Sequence, residues 1–253
     1  MISISEAQLL AWVSPVLWPF LRALALFTAM PVLGARNVPA RVRIGLAFFI
    51  ALASQASLPP MPAVALDSHL AFVLVVQQLV IGLSLGFAVR VLFAAVELAG
   101  ELVGLQMGLN FAGFFDPLTA SQGTATARFF GTMISWLFVV INGHLLVIAA
   151  LVDSFKAFPV APEPFAFVRR ALPHQWAAEI FATGLWIALP LIAMLLFINL
   201  VLGLISRVAP QINVFAVGFP ITLGVGLVGM LLTLPLMQQP FLMAMDKVLA
   251  GFR

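Results

Sequence analysis

The chain has 253 residues, of which 63% are hydrophobic and only 8% charged. Soluble domains carry about 25% charged residues, so this composition excludes an ordinary water-soluble globular fold and points to a bilayer. The 12 basic and 9 acidic residues leave a net charge of +3, scattered mostly singly between apolar runs, which is not the clustered basic face that nucleic acid requires.

A membrane-crossing helix needs about 20 mostly apolar residues, and six runs approach or exceed that length. Met1 to Gln8 has no basic n-region and carries Glu6, so the first run reads as a retained segment rather than a cleaved signal. That run extends from about Gln8 to Leu33, with Pro15, Pro19 and Arg22 inside it, and the second from about Val42 to Leu58. The third begins near Leu70 and continues past Arg90 to about Met107, too long for one simple crossing. After a loop rich in Gly, Pro, Thr and Ser, the fourth covers about Thr126 to Val152, the fifth Trp176 to Ile205 and the sixth Ile212 to Met245. Period-two alternation of a membrane barrel is absent, so the predicted fold class is an all-α membrane protein.

These runs do not read as plain anchors. Pro15, Pro19, Pro190, Pro220 and Pro235 each remove a backbone donor within an apolar run, and broken helices persist at membrane depth only where protein or water satisfies the freed groups. Gly82 with Gly86, and the ladder Gly100, Gly104, Gly108, predict close helix packing. Loop charge conflicts with six ordinary spans: Arg36, Arg41 and Arg43 mark the first connection as cytoplasmic, and Lys156, Arg169 and Arg170 mark the fourth, which strict alternation puts outside.

Three features are candidates for function. The stretch Gly104 to Pro117 starts helical and ends in a turn, carrying Met107, Leu109, Phe111, Phe114 and Phe115 on a backbone loosened by Gly108 and Gly113. Large apolar side chains there can close a pore by excluding water, or pack as ordinary core. Arg22, Arg90, Glu97, Glu101 and Arg207 are charges costly to face lipid; Glu97 and Glu101 share a helix face one turn apart, with Arg90 two turns earlier, so a local pairing or a proton relay is geometrically available. Finally, Arg207, Pro210, Gln211 and Asn213 form a polar break between two apolar runs, either an interfacial turn or a docking surface.

Catalysis and cofactors find no support. Cysteine is absent, and His69, His144 and His174 lie far apart with no H-E-x-x-H pair. No phosphate-binding or nucleophile motif is present, so the expectation is no enzyme, no cofactor and no metal. A stand-alone proton-coupled secondary transporter, motivated by the broken helices and by Glu97 and Glu101, is the alternative from another class.

The blocks Pro39 to Arg43, Gly104 to Pro117, Asn142-Gly143-His144 and Arg207 to Phe215 continued by Ala216-Val217-Gly218-Phe219-Pro220 occur in the order seen in the FliR/SctT family, which the chain resembles. The resemblance implies a subunit of the type III export gate in the bacterial inner membrane, at the flagellar basal body. It implies FliP and FliQ as assembly partners, FlhB and FlhA-type subunits as neighbours, and unfolded export substrates as cargo, with lipid but no nucleic acid in contact. It further implies proline-broken helical hairpins packed in a helical assembly rather than a simple six-span bundle. A FliP-like part over about 1–170 would be followed by a FliQ-like part over about 171–253. By match of motif, Phe111 and Phe114 are the plug residues, with Met107 and Phe115 beside them and Gly100, Gly104 and Gly108 in subunit packing. The wording of Gly104 to Pro117 favours a flagellum over an injectisome.

Overall fold

A computed structural model describes residues 6–65, 67–109, 124–163, 173–211 and 213–253. Its elements are α1 (Glu6–Ala29), α2 (Ala40–Ser54), α3 (His69–Gln106), α4 (Ala125–Val140), α5 (Gly143–Ala157), α6 (Pro173–Val208), α7 (Val214–Thr233) and α8 (Gln238–Leu249). Short 3-10 turns follow α2, α7 and α8, and no strand occurs among the described residues. The all-α class therefore holds.

The six apolar runs do not become six spans. Among the described residues four stretches are long and apolar enough to cross a membrane, Leu10–Ala29, His69–Gln106, Ala178–Val208 and Ala216–Phe252, and a fifth is reached only if α4 and α5 count together. The second run yields a helix of 15 residues, about 22 Å long at 1.5 Å per residue and short of a hydrocarbon core of about 30 Å. The fourth run, expected as one helix from Thr126 to Val152, is broken at Asn142, which takes a left-handed conformation at φ 58° and ψ 29°. Asparagine tolerates that region better than most residues, and the carbonyl of Asn142 accepts from the Leu145 N–H at 2.9 Å to start α5. At the other extreme, α3 runs 38 residues, about 57 Å, nearly twice the core thickness.

Four of the five prolines expected to break helices lie within helices that run on through them. Pro15 and Pro19 lie inside α1, Pro190 inside α6 and Pro220 inside α7. Pro235 falls at the start of the 3-10 turn Leu234–Met237, where a missing donor costs least.

The chain forms two compact units: Met1–Arg90 with Ile141–Trp176 and Asp246–Arg253, and Val91–Val140 with Ala177–Met245. In the first, Gly82 and Gly86 let α3 approach α1 closely. A Cβ at Gly82 would collide with the Arg22 carbonyl, and one at Gly86 would stand 2.6 Å from the Ala29 Cβ. Trp18 is fully buried and donates from Nε1 to the Pro62 carbonyl at 3.1 Å.

Arg22 lies at the centre of this unit, fully buried. Its Nε donates to Gln78 Oε1 at 2.8 Å, Nη1 to Ser154 Oγ at 2.9 Å and Nη2 to the Phe158 carbonyl at 2.9 Å. The guanidinium carbon also sits 3.6 Å from the Phe155 ring centroid, a cation–π geometry. Gln78 passes the chain on, donating to Gln77 Oε1 at 2.9 Å, and Gln77 donates to the Pro159 carbonyl at 3.2 Å. One side chain thus ties α1 to α3, α5 and the segment after α5.

The second unit packs by aromatic edges. Phe93 of α3 meets Phe138 of α4 at 5.5 Å and Phe241 of α8 at 6.1 Å, both edge to face, the geometry aromatic quadrupoles favour.

Replacing Arg22 by Met should strand three buried acceptors and lower stability by about 3 kcal/mol or more. Arg22→Lys should recover only part, because an ammonium lacks the planar fork that reaches three acceptors. Ser154→Ala should cost about 1 kcal/mol. Denaturant titration of the detergent-purified protein measures all three, and equal stability of Arg22→Met and wild type would contradict the assignment.

Candidate functional site

The second half of α3 ends against the start of α4, and the glycine ladder explains how. A Cβ at Gly100 would lie 2.7 Å from the Ala127 Cα, and one at Gly104 would collide with the Thr126 hydroxyl. Both glycines therefore admit the first turn of α4 against the α3 backbone, as small residues do between membrane helices.

Polar contacts close the same junction. Glu101 Oε1 accepts from the Thr124 N–H at 3.1 Å, and the Thr124 hydroxyl accepts from the Ala127 N–H at 3.1 Å. Thr124 is thus the N-cap of α4, and the Glu101 carboxylate satisfies one more donor just outside that end, where negative charge also suits the helix dipole. The Thr124 and Thr126 hydroxyls are 2.9 Å apart. These contacts fix the two described flanks of residues 110–123 against each other.

Gly108 has a different task from its ladder partners. It adopts φ 79°, and the Gly108 and Leu109 N–H groups reach the Leu105 and Gly104 carbonyls at 3.1 and 3.0 Å. That pair of bonds with a left-handed glycine is a Schellman stop, so Gly108 terminates α3 while Gly100 and Gly104 serve its packing.

Of the residues expected to close a pore, Met107 is fully buried inside the second unit. It lies over Gly226 of α7, where an added Cβ would stand 2.6 Å from its Cγ and Sδ. Phe111, Phe114 and Phe115 lie outside the described residues.

The remaining candidates are distributed. Glu97 is exposed on α3 and runs over Gly131 of α4, whose ideal Cβ would be 3.1 Å from its Oε1. Arg90 is exposed at the end of the α3 stretch belonging to the first unit. In the polar break, Arg207 is exposed in the last turn of α6, where a cation complements the helix dipole. Pro210 and Gln211 are exposed, and Asn213 Oδ1 accepts from the Ala216 N–H at 3.2 Å, capping α7. Among the described residues no group of three His, Asp or Glu side chains converges as a metal site.

Sequence reasoning singled out Glu101 as a membrane charge and missed its partner. The signal was available: Thr124 directly before an apolar helical run is an N-cap pattern.

Gly104→Val should be the more damaging glycine change, by about 2 kcal/mol through overpacking against Thr126. Gly108→Ala should cost about 1 kcal/mol through its left-handed backbone. Glu101→Ala should fall in the same range by leaving the Thr124 N–H without its acceptor. Unfolding midpoints of the three variants give the ranking, and a Gly104→Val protein as stable as wild type would overturn the packing assignment.

The model for bacterial export proteins, family 1, matches residues 13–248. The flagellar biosynthetic protein FliR of Escherichia coli (strain K12) is 44% identical over 241 residues, covering 95% of this chain and 92% of that protein. FliR of Pectobacterium carotovorum subsp. carotovorum is 43% identical over 244 residues, with 95% and 92% covered. FliR of Bacillus subtilis (strain 168) is 33% identical over 217 residues, with 83% and 82% covered. With the match spanning both compact units and nearly the whole length, the chain belongs to bacterial export proteins, family 1, the family of the flagellar biosynthetic protein FliR.

Proposed function

We propose that the chain is a non-enzymatic subunit of the flagellar type III export gate in the bacterial inner membrane. It assembles with FliP and FliQ into a channel for unfolded flagellar substrates, beside FlhB and FlhA-type subunits. The observation that carries this reading is the match to FliR relatives over almost the full chain.

The helices support a subunit that needs neighbours. Within the stretches Ala178–Val208 and Ala216–Phe252 only 28% of the apolar window is buried by the chain itself, against 61% for α3. Phe181, Trp186, Phe197, Leu200 and Leu232 are among the large side chains left exposed. Unlike α3, these two helices find little cover in their own chain, which suits a part engaged by other subunits as well as by lipid. The FliP-like part over about 1–170 and the FliQ-like part over about 171–253 belong to the same proposal.

In this reading the segment from Gly108 to Pro117 closes the channel, with Phe111 and Phe114 as the plug and Phe115 beside them. The contacts of Glu101 with Thr124 and of Gly104 with Thr126 support this by holding the two described flanks of the segment together. The same contact weighs against a stand-alone proton-coupled transporter, because Glu101 is engaged as a helix cap.

Dye-loaded vesicles containing the assembled complex test the plug. The double variant F111G/F114G should release dye faster than wild type while FliP and FliQ still co-purify. Normal assembly with wild-type retention of dye would overturn the plug role.

A further inference from the structure

We propose that α2 and the connection before it form a binding site for an anionic phospholipid, with Arg36, Arg41 and Arg43 on the headgroup and Phe48, Phe49 and Leu52 along the acyl chains.

Charge comes first. Between Glu6 and Asp67 the sequence has no acidic residue, and its only charges there are Arg22, Arg36, Arg41 and Arg43. Arg22 is buried and fully engaged, so the other three carry the charge of the whole stretch. Arg36 and Arg41 are exposed and Arg43 partly so. Among the described residues none of the three has a carboxylate partner; the ion pair formed is Lys156 with Asp153. Arg43 makes one long contact, Nη2 to the Val38 carbonyl at 3.5 Å, and its buried Nε has no hydrogen-bond partner. Three guanidiniums within eight residues, unopposed by acid, are complementary to phosphate oxygens.

The apolar part follows in register. Ala47 and Ala51 are buried, one turn apart on the inward line of α2. Arg41, Phe48 and Leu52 stand at i, i+7 and i+11, so they share one outward stripe with Phe49 beside it. Phe48, Phe49 and Leu52 are all exposed, Phe49 by 68%, and the two rings meet edge to face at 6.2 Å. Along the helix axis Phe48 and Leu52 lie about 10 and 17 Å beyond Arg41. One leaflet of hydrocarbon is about 15 Å deep, half of a core of about 30 Å. Cations at one end and a leaflet's depth of apolar surface below them match a phospholipid in length and in order. A zwitterionic lipid would fill the apolar stripe equally but would leave the arginines uncompensated. The site requires only that α2 meets a bilayer, so it stands apart from the gate reading.

The test is native mass spectrometry of the full chain in a nonionic detergent, titrated with phosphatidylglycerol or phosphatidylcholine. Phosphatidylglycerol should bind more tightly, and each arginine removed should cut that preference about fivefold. R36Q/R41Q/R43Q should therefore bind both lipids alike. The single variant R41Q, at an exposed position, serves if the triple variant fails to fold. R128Q/R207Q/R253Q removes the same charge elsewhere and should keep the preference. Equal binding of both lipids by wild type, an undiminished preference in R41Q, a preference retained in the triple variant, or the same loss in the control set would overturn the proposal.

Discussion

A cation buried without a carboxylate is the constraint on which the first unit depends. Among the described residues Arg22 has no carboxylate partner; its acceptors are an amide, a hydroxyl and a backbone carbonyl, with the Phe155 ring against its face. Taking a guanidinium out of water is expensive, and neutral acceptors offset that cost only when all are in place. The arrangement therefore favours one packing of α1 against α3 and α5 over near alternatives, because a shift of either partner strands a donor. Gly82 and Gly86 make that packing sterically possible, and the Gln77–Gln78 relay extends it to the segment following α5. Arginine suits this position better than lysine since its donors are held in a rigid fork.

In the second unit the same problem of fixing helices without a solvent-driven hydrophobic effect is met mainly by size. Gly100, Gly104, Gly226 and Gly229 each leave room that is filled by the α4 backbone at Gly100, by the Thr126 side chain at Gly104 and by a methionine at Gly226 and Gly229. Met107 over Gly226 and Met194 over Gly229 show flexible thioethers adapting to such gaps. The polar supplement is small: the Glu101 carboxylate on the start of α4 and the Thr124 cap. Its position gives it weight, because it joins the end of α3 to the start of α4, the described flanks of residues 110–123.

Much of this was legible in the residues. The long third run came out within a residue or so of α3, because Leu70 to Gln106 is mostly apolar and holds no proline. The packing of Gly82, Gly86, Gly100 and Gly104 followed from spacing alone. Asn142 did not stand out as a break, since one left-handed residue between two apolar stretches leaves hydropathy unchanged. That Gly108 also stops α3 was not legible, because spacing is the same for a packing glycine and for one that ends a helix, and its φ of 79° is what marks the stop. Arg22 was flagged as costly, but its partners Ser154 and Phe158 lie more than 130 residues away in sequence, a distance that no local pattern encodes. Phe111, Phe114 and Phe115 rest on motif resemblance throughout.

On the proposed function, the apolar faces of α6 and α7 are covered by other subunits as well as by lipid. Gentle detergent extraction after co-expression with FliP and FliQ, followed by size-exclusion chromatography, tests it most directly. The account predicts co-elution of all three in one complex of fixed composition. A chain that elutes alone, folded and separate from both, would contradict it.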